Sequence, residues 1–210
     1  LNMSESFMEM FNVVIQLGAI LAVVVIYFKQ MWPFSLNKQE HYIKKDVFSM
    51  WFKVIVAILP AAIIGIPFDD FFEEKFHNYI VVSLALIVYG IAFIVIEKRN
   101  KHLKPKVGSI GEITYKTAFL IGCFQALSLI PGTSRSGSTI LGAILIGVSR
   151  VTAAQFSFYM AVPVMFGASF IKLLKFGLDF TATELVILLV GMVTAFVVSV
   201  IAIKFLISYI

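Results

Sequence analysis

The chain predicts an all-α, polytopic integral membrane protein, on three observations. Of its 210 residues 60% are hydrophobic, 21 of them phenylalanine, and the mean hydropathy is +0.97. No water-soluble domain hides that much apolar surface. The apolar residues also fall in long runs, each near the ~20 residues a helix needs to cross a bilayer. Charged residues make up only 14% and gather between those runs. The net charge of +5 therefore marks loops at a membrane surface and gives no support to nucleic-acid binding. Cys123, the only cysteine, sits inside an apolar run, so no disulfide and no cysteine-based metal site is available.

Residues 11–28 form the first predicted span. Lys29, Lys38, Lys44, Lys45 and Lys53 follow, and their charge assigns this loop to the cytoplasm. The second span, 51–68, leads to a loop in which Asp69, Asp70, Glu73 and Glu74 outnumber Lys75, which faces outward. Residues 79–96 cross back to Lys98, Arg99, Lys101, Lys104, Lys106 and Lys116, again cytoplasmic. Two shorter apolar segments, 117–130 and 137–148, come next. At 1.5 Å per residue they reach about 18–21 Å, short of the ~30 Å hydrocarbon core. They are predicted to be half-helices, either a re-entrant hairpin or a broken pair, meeting in the outer half of the membrane and returning to Arg150 inside. Spans at 153–174 and 185–207 complete a single transmembrane domain over 1–210. Leu1 is not an initiator methionine and the last apolar run is still open at Ile210, so the sequence is expected to be a piece of a longer chain.

Between the two half-helices lies Pro131-Gly132-Thr133-Ser134-Arg135-Ser136-Gly137-Ser138-Thr139. An arginine at membrane depth costs about 2.5–3.5 kcal/mol on insertion scales, and by default it marks a functional site. Gly132 allows the backbone to turn after Pro131 and to approach a ligand closely. Ser136 or Ser134 can cap a helix beginning near Gly137, whose free N–H groups favour an anion. Arg135 can grip phosphate oxygens bidentately, which lysine cannot. Ser134, Ser136, Ser138 and Thr139 add short donors. The composition suits a phosphate, and the plainer alternative is an outer loop with a capped helix and a snorkelling arginine.

Other phosphate chemistries fit less well. The spacing Gly132-x-x-x-x-Gly137-Ser138-Thr139 imitates a P-loop, but Ser138 stands where the lysine belongs and no strand precedes it. A phospho-histidine mechanism needs histidines near the motif, whereas His41, His77 and His102 lie in loops far from it. A weak internal repeat pairs Phe11-x-x-x-Ile15-x-Leu17-Gly18 with Phe156-x-x-x-Met160-x-Val162-Pro163. The two spans run in opposite directions, as in an inverted repeat. The repeat would put the counterpart of Ser134 before residue 1.

Gln125-Ala126-Leu127 followed by residues 131–139 closely resembles the second signature of the bacterial undecaprenyl-diphosphatases, the bacitracin-resistance type. Gly147-Val148-Ser149-Arg150, the stretch 154–163 and the stretch 11–23 are similar to the same family, so the resemblance covers essentially the whole chain. It implies a multi-pass enzyme of the bacterial plasma membrane, with re-entrant half-helices and interlocked inverted repeats. Such enzymes hydrolyse undecaprenyl diphosphate on the outer side and recycle the lipid carrier for peptidoglycan synthesis. Bacitracin sequesters that diphosphate, so extra phosphatase confers resistance. By position, Arg135 and Ser134 match the catalytic signature; Gly132, Ser136, Gly137, Thr139 and Gln125 match substrate-binding positions.

The resemblance also implies a divalent cation, Mg2+ or Ca2+, a polyprenyl diphosphate substrate and surrounding membrane lipids. It leaves the oligomeric state open. The sequence departs from the family at its first signature, a Glu-x-x-x-Glu pair followed by Pro-Val-Ser-Ser-Thr-Gly-His. Glu5 and Glu9 share the spacing but lack the serines and histidine that follow it. The cation ligands, nucleophile and acid/base group are therefore expected to be missing here. A secondary transporter or flippase that binds a lipid phosphate without cleaving it is the competing class.

Overall fold

The computed structural model describes residues 4–34, 44–100, 103–177 and 180–209. Lys38, His41, Lys101, His102, Leu1 and Ile210 lie outside the described residues. The fold is all-α, and among the described residues no β-structure exceeds an isolated bridge. Five stretches among them are long and apolar enough to cross a membrane: Glu5–Ile26, Lys45–Phe68, Tyr79–Asn100, Arg150–Phe176 and Ala182–Phe205. Each contains most of one predicted span. The chain divides into two compact units, Leu1–Leu36 with Ala161–Ile210, and Asn37–Met160.

The first unit holds α1 (Glu5–Val14), α2 (Gln16–Ile26), the single turn α3 (Phe28–Met31), the later part of α8 (Arg150–Phe176), and α9 (Ala182–Tyr209). Ser4 caps α1 by accepting the Phe7 N–H at 3.2 Å, so this span starts earlier than its apolar run. Phe7, Met10, Val14 and Leu188 bury one another in its core. Gly18 of α2 lies against the Met192 backbone of α9, too close for any side chain, and small residues permit such approach where apolar packing alone must hold helices together. Thr181 and Glu184 form a capping box at the start of α9: Glu184 Oε2 accepts the Thr181 N–H at 2.9 Å, and Thr181 Oγ1 accepts the Glu184 N–H at 3.2 Å.

The second unit holds α4 (Lys45–Phe76), α5 (Tyr79–Asn100), α6 (Tyr115–Ala126), α7 (Arg135–Leu145) and the beginning of α8. The acidic stretch after residue 68, expected as a loop, forms the last turns of α4, which also runs through Pro60 and Pro67. Aspartate and glutamate are compatible with a helix, and the reversal needs only His77 and Asn78. Asn78 caps α5, its Oδ1 accepting the Val81 N–H at 3.0 Å.

The two short helices expected here are present but shifted in register. Thr114 caps α6 by accepting the Thr117 N–H at 3.1 Å, and Leu127–Leu129 tightens into a 3₁₀ turn. At twelve and eleven residues, α6 and α7 are only about 18 and 16 Å long. Gly147, at φ +94°, ends α7. Its N–H donates to Ile144 O at 3.0 Å, and the Val148 N–H donates to Ala143 O at 2.9 Å, the paired bonds of a Schellman turn.

Both ends of the α6–α7 hairpin sit at one end of this unit. The Lys106 N–H donates to Gly147 O at 2.7 Å and the Ser149 N–H to Val107 O at 2.9 Å, while Arg150 pairs with Glu97 near the end of α5. Lys53 Nζ reaches Gly111 O at 3.4 Å, which brings the start of α4 to the same end. The exposed Glu112 carboxyl is held below the usual carboxylate range by the Gly108 N–H and the Ser109 hydroxyl, which tie this basic loop together. The tip of the hairpin lies at the other end: Gly132 touches the backbone of Val82, in the first turn of α5.

Candidate functional site

Ile130, Pro131, Gly132 and Thr133 make the turn at the hairpin tip. The Thr133 N–H donates to Ile130 O at 3.1 Å, and Gly132 adopts φ +92°. Proline then glycine at the centre, with a left-handed glycine, is the pattern of a type II turn. Gly132 also approaches the backbone of α5 closely. A Cβ there would fall 2.7 Å from Val82 Cα and O.

The helix after the turn starts at Arg135, two residues earlier than expected, because Ser134 rather than Ser136 is its cap. Ser134 Oγ accepts the Gly137 N–H at 3.2 Å and lies 3.2 Å from Ser136 Oγ. A cap that accepts through its oxygen keeps its hydroxyl hydrogen to donate. The N–H groups of Arg135 and Ser136 find no acceptor among the described residues, as at any helix start. Together with the helix dipole they favour an anion beside the first turn of α7.

Two further polar atoms are buried without a partner among the described residues: Arg135 Nη1 and Gln125 Oε1. Gln125 is 3% exposed and belongs to the last turn of α6, so the hairpin carries one such atom on each helix near its tip. An orphaned guanidinium donor is costly inside a protein, and an anion carrying several acceptor oxygens would satisfy it.

The expected site residues therefore separate into two groups. Ser134, Arg135 and Ser136 share the open first turn, with Ser134 and Ser136 exposed. Gly137 and Thr139 are buried on the packed side. Thr139, 2% exposed, places Oγ1 2.7 Å from Ser157 Oγ of α8 and 3.0 Å from Ser136 O. Ser138, 1% exposed, donates to Tyr89 Oη of α5 at 2.9 Å. Tyr89 carried no signal in the sequence, since it lies far from the motif. Ser157 fell within a stretch similar to the family but had no assigned part.

No three His, Cys, Asp or Glu side chains come together among the described residues, so they do not fit a divalent cation. Glu5 and Glu9 lie on α1 in the other unit and are exposed, with Glu9 facing Lys172 at 3.5 Å. His77 is exposed at the α4–α5 junction.

The geometry gathers unpartnered donors at one helix start of a chain rich in apolar spans, and comparison with known proteins supplies the family. The family model for the bacitracin resistance protein BacA matches residues 1–210. An undecaprenyl-diphosphatase of Acetivibrio thermocellus is 61% identical over 210 residues, covering 100% of this chain and 77% of that protein. One of Enterococcus faecalis is 61% identical over 211 residues, covering 100% and 76%. Undecaprenyl-diphosphatase 1 of Clostridium acetobutylicum is 59% identical over 211 residues, covering 100% and 77%. With a match of that length along every helix described above, the chain belongs to the bacitracin resistance protein BacA family.

Proposed function

We infer that this chain acts in the hydrolysis of undecaprenyl diphosphate to undecaprenyl phosphate and inorganic phosphate, which recycles the lipid carrier for cell-wall synthesis and supports bacitracin resistance. The observation that carries the site assignment is Arg135, whose Nη1 is buried without an acceptor beside the free N–H groups of α7. The relatives' shared name supports the reaction. In it the bond between the bridging oxygen and the terminal phosphorus breaks, and the oxygen of water ends on the released phosphate.

The residues on the open turn then take distinct parts. Arg135 holds the terminal phosphate and offsets the charge that builds on it as the anhydride opens. Ser134 and Ser136, whose hydroxyls share a 3.2 Å hydrogen bond, turn a hydroxyl hydrogen to the phosphate oxygens when substrate binds. Gly137 contributes the close packing that lets Ser134 cap the helix, and Gly132 sets the turn that aims it. Gln125 Oε1 accepts from a protonated phosphate oxygen or a bound water. The hairpin is re-entrant in this reading, with its tip and the reaction toward the outer face and the basic loop in the cytoplasm. The inverted repeat belongs to the same reading. The described residues do not fit a cation, so none of these steps runs through one.

Phosphate release by the purified full-length protein in detergent, with undecaprenyl diphosphate as substrate, is the expected outcome. Transfer of labelled lipid between vesicle leaflets with no free phosphate would sink the hydrolytic reading. EDTA is expected to stop the release and Mg2+ or Ca2+ to restore it, as the family resemblance implies. Full activity after exhaustive chelation would remove the cation from the reaction.

A further inference from the structure

Two consecutive residues of α7 make the only side-chain hydrogen bonds, among the described residues, that tie its first turns to other long helices. Ser138 donates to Tyr89 Oη of α5 at 2.9 Å, and Thr139 Oγ1 meets Ser157 Oγ of α8 at 2.7 Å. All three small hydroxyl residues are buried: Ser138 at 1%, Thr139 at 2% and Ser157 at 6% exposure. Successive residues of a helix point about 100° apart, so the two bonds fasten α7 from two directions. One bond would leave the helix free to roll about it, whereas two fix both its roll and its tilt.

The rest of α7 is held by main-chain bonds and apolar packing, and side-chain hydrogen bonds to α5 and α8 are found only near its start among the described residues. Its far end is held through main-chain atoms at Gly147 and Ser149, about three turns from Arg135. Gly142, in the second half of the helix, packs directly against the Phe124 ring of α6, whereas Gly137 in the first turn presents no side chain to a neighbour. Beside Ser138 lies a half-open apolar pocket of about 210 Å³ bordered by Tyr89, Ala92, Phe124 and Leu141, so no protein side chain fills that side. Arg135 stands one turn before these hydroxyls, and its guanidinium sits at the end of a long, flexible stem. A small roll of α7 carries that group far from the phosphorus it must meet.

We propose that Tyr89 and Ser157 are positioning residues for the phosphatase reaction, acting through Ser138 and Thr139 to hold the first turn of α7 in its working orientation. The proposal rests on the hydrolytic reading above. Neither Tyr89 nor Ser157 touches the substrate in it. Both act through the hydroxyl of the next helix, so losing them misplaces Arg135 without removing a phosphate contact.

Tyr89→Phe deletes one oxygen from a half-buried ring and is the gentler test. Ser157→Ala is the second, and Ser157→Thr keeps the hydroxyl. In the full-length protein, Tyr89→Phe and Ser157→Ala are each expected to lower kcat about tenfold, with KM within about threefold and the melting temperature in detergent nearly unchanged. The double variant should lose more than either alone, and Ser157→Thr should recover most of the activity. Wild-type kcat in both single variants would overturn the proposal. So would losses that track the melting temperature or fall entirely on KM, or a Ser157→Thr variant that folds but is no better than Ser157→Ala. A wild-type protein that releases no phosphate would instead refute the hydrolytic reading itself.

Discussion

Arg135→Ala should abolish phosphate release by the full-length protein, by about 100- to 1,000-fold or more in kcat. That is the range lost when one preorganised donor is removed from a site of developing charge. The arginine is partly buried and one of its terminal nitrogens lacks a partner, so the protein already bears the cost of placing a charge there. Such a cost is sustained only if the ligand repays it. Arg135→Lys keeps the charge but replaces a planar fork by a single ammonium, so it should recover little of the loss. Folding should improve or stay unchanged in the alanine variant, because no protein acceptor is lost with the guanidinium. Near-wild-type turnover in Arg135→Ala would end the assignment of this turn as the phosphate site. A collapse of the fold would show that the arginine serves structure instead.

Gly132→Ala is the second large effect expected, and its cause is different. At φ +92° an alanine meets a penalty of about 1–2 kcal/mol from its own backbone. The new Cβ would also stand 2.7 Å from the Val82 backbone, which cannot swing aside as a side chain could. Overpacking of that kind adds about 1–3 kcal/mol. The turn must back away from α5 and carry Ser134 and Arg135 with it. Both the melting temperature and kcat should fall, kcat by about tenfold or more. Gly90→Ala, in α5 with nothing within 4 Å of the new carbon, serves as the control and should lose neither. Equal behaviour of the two variants would remove the contact between Gly132 and Val82 from the account.

The spans were readable because membrane insertion is a local property: about twenty apolar residues suffice, whatever surrounds them. The shortness of α6 and α7 was readable for the same reason. What failed was local hydrogen bonding at the ends. Ser134 and Ser136 were equal candidates for the cap, and only the geometry of the Gly137 N–H decides between them. The acidic stretch after residue 68 reads as a loop by its charge, yet it continues α4 to Phe76, because charge ends an apolar run without ending a helix.

At the site, Arg135 and Ser134 announced themselves by being polar where polarity is expensive. Gly132 was readable as a turn, while its contact with Val82 was not, since a reason for a glycine can lie on a helix fifty residues away. Tyr89 was silent for that reason too. A tyrosine in an apolar helix reads as packing until the serine it meets is known.

The bonds between the 106–107 and 147–149 stretches at the base of the hairpin are made by main-chain atoms alone, at Lys106, Val107, Gly147 and Ser149. Over generations, side chains at Lys106 and Val107 can therefore drift almost without consequence for how the hairpin stands. The one identity they cannot drift to is proline, which has no amide hydrogen to give. A basic loop can thus change its surface while the main-chain bonds that hold the hairpin stay in place.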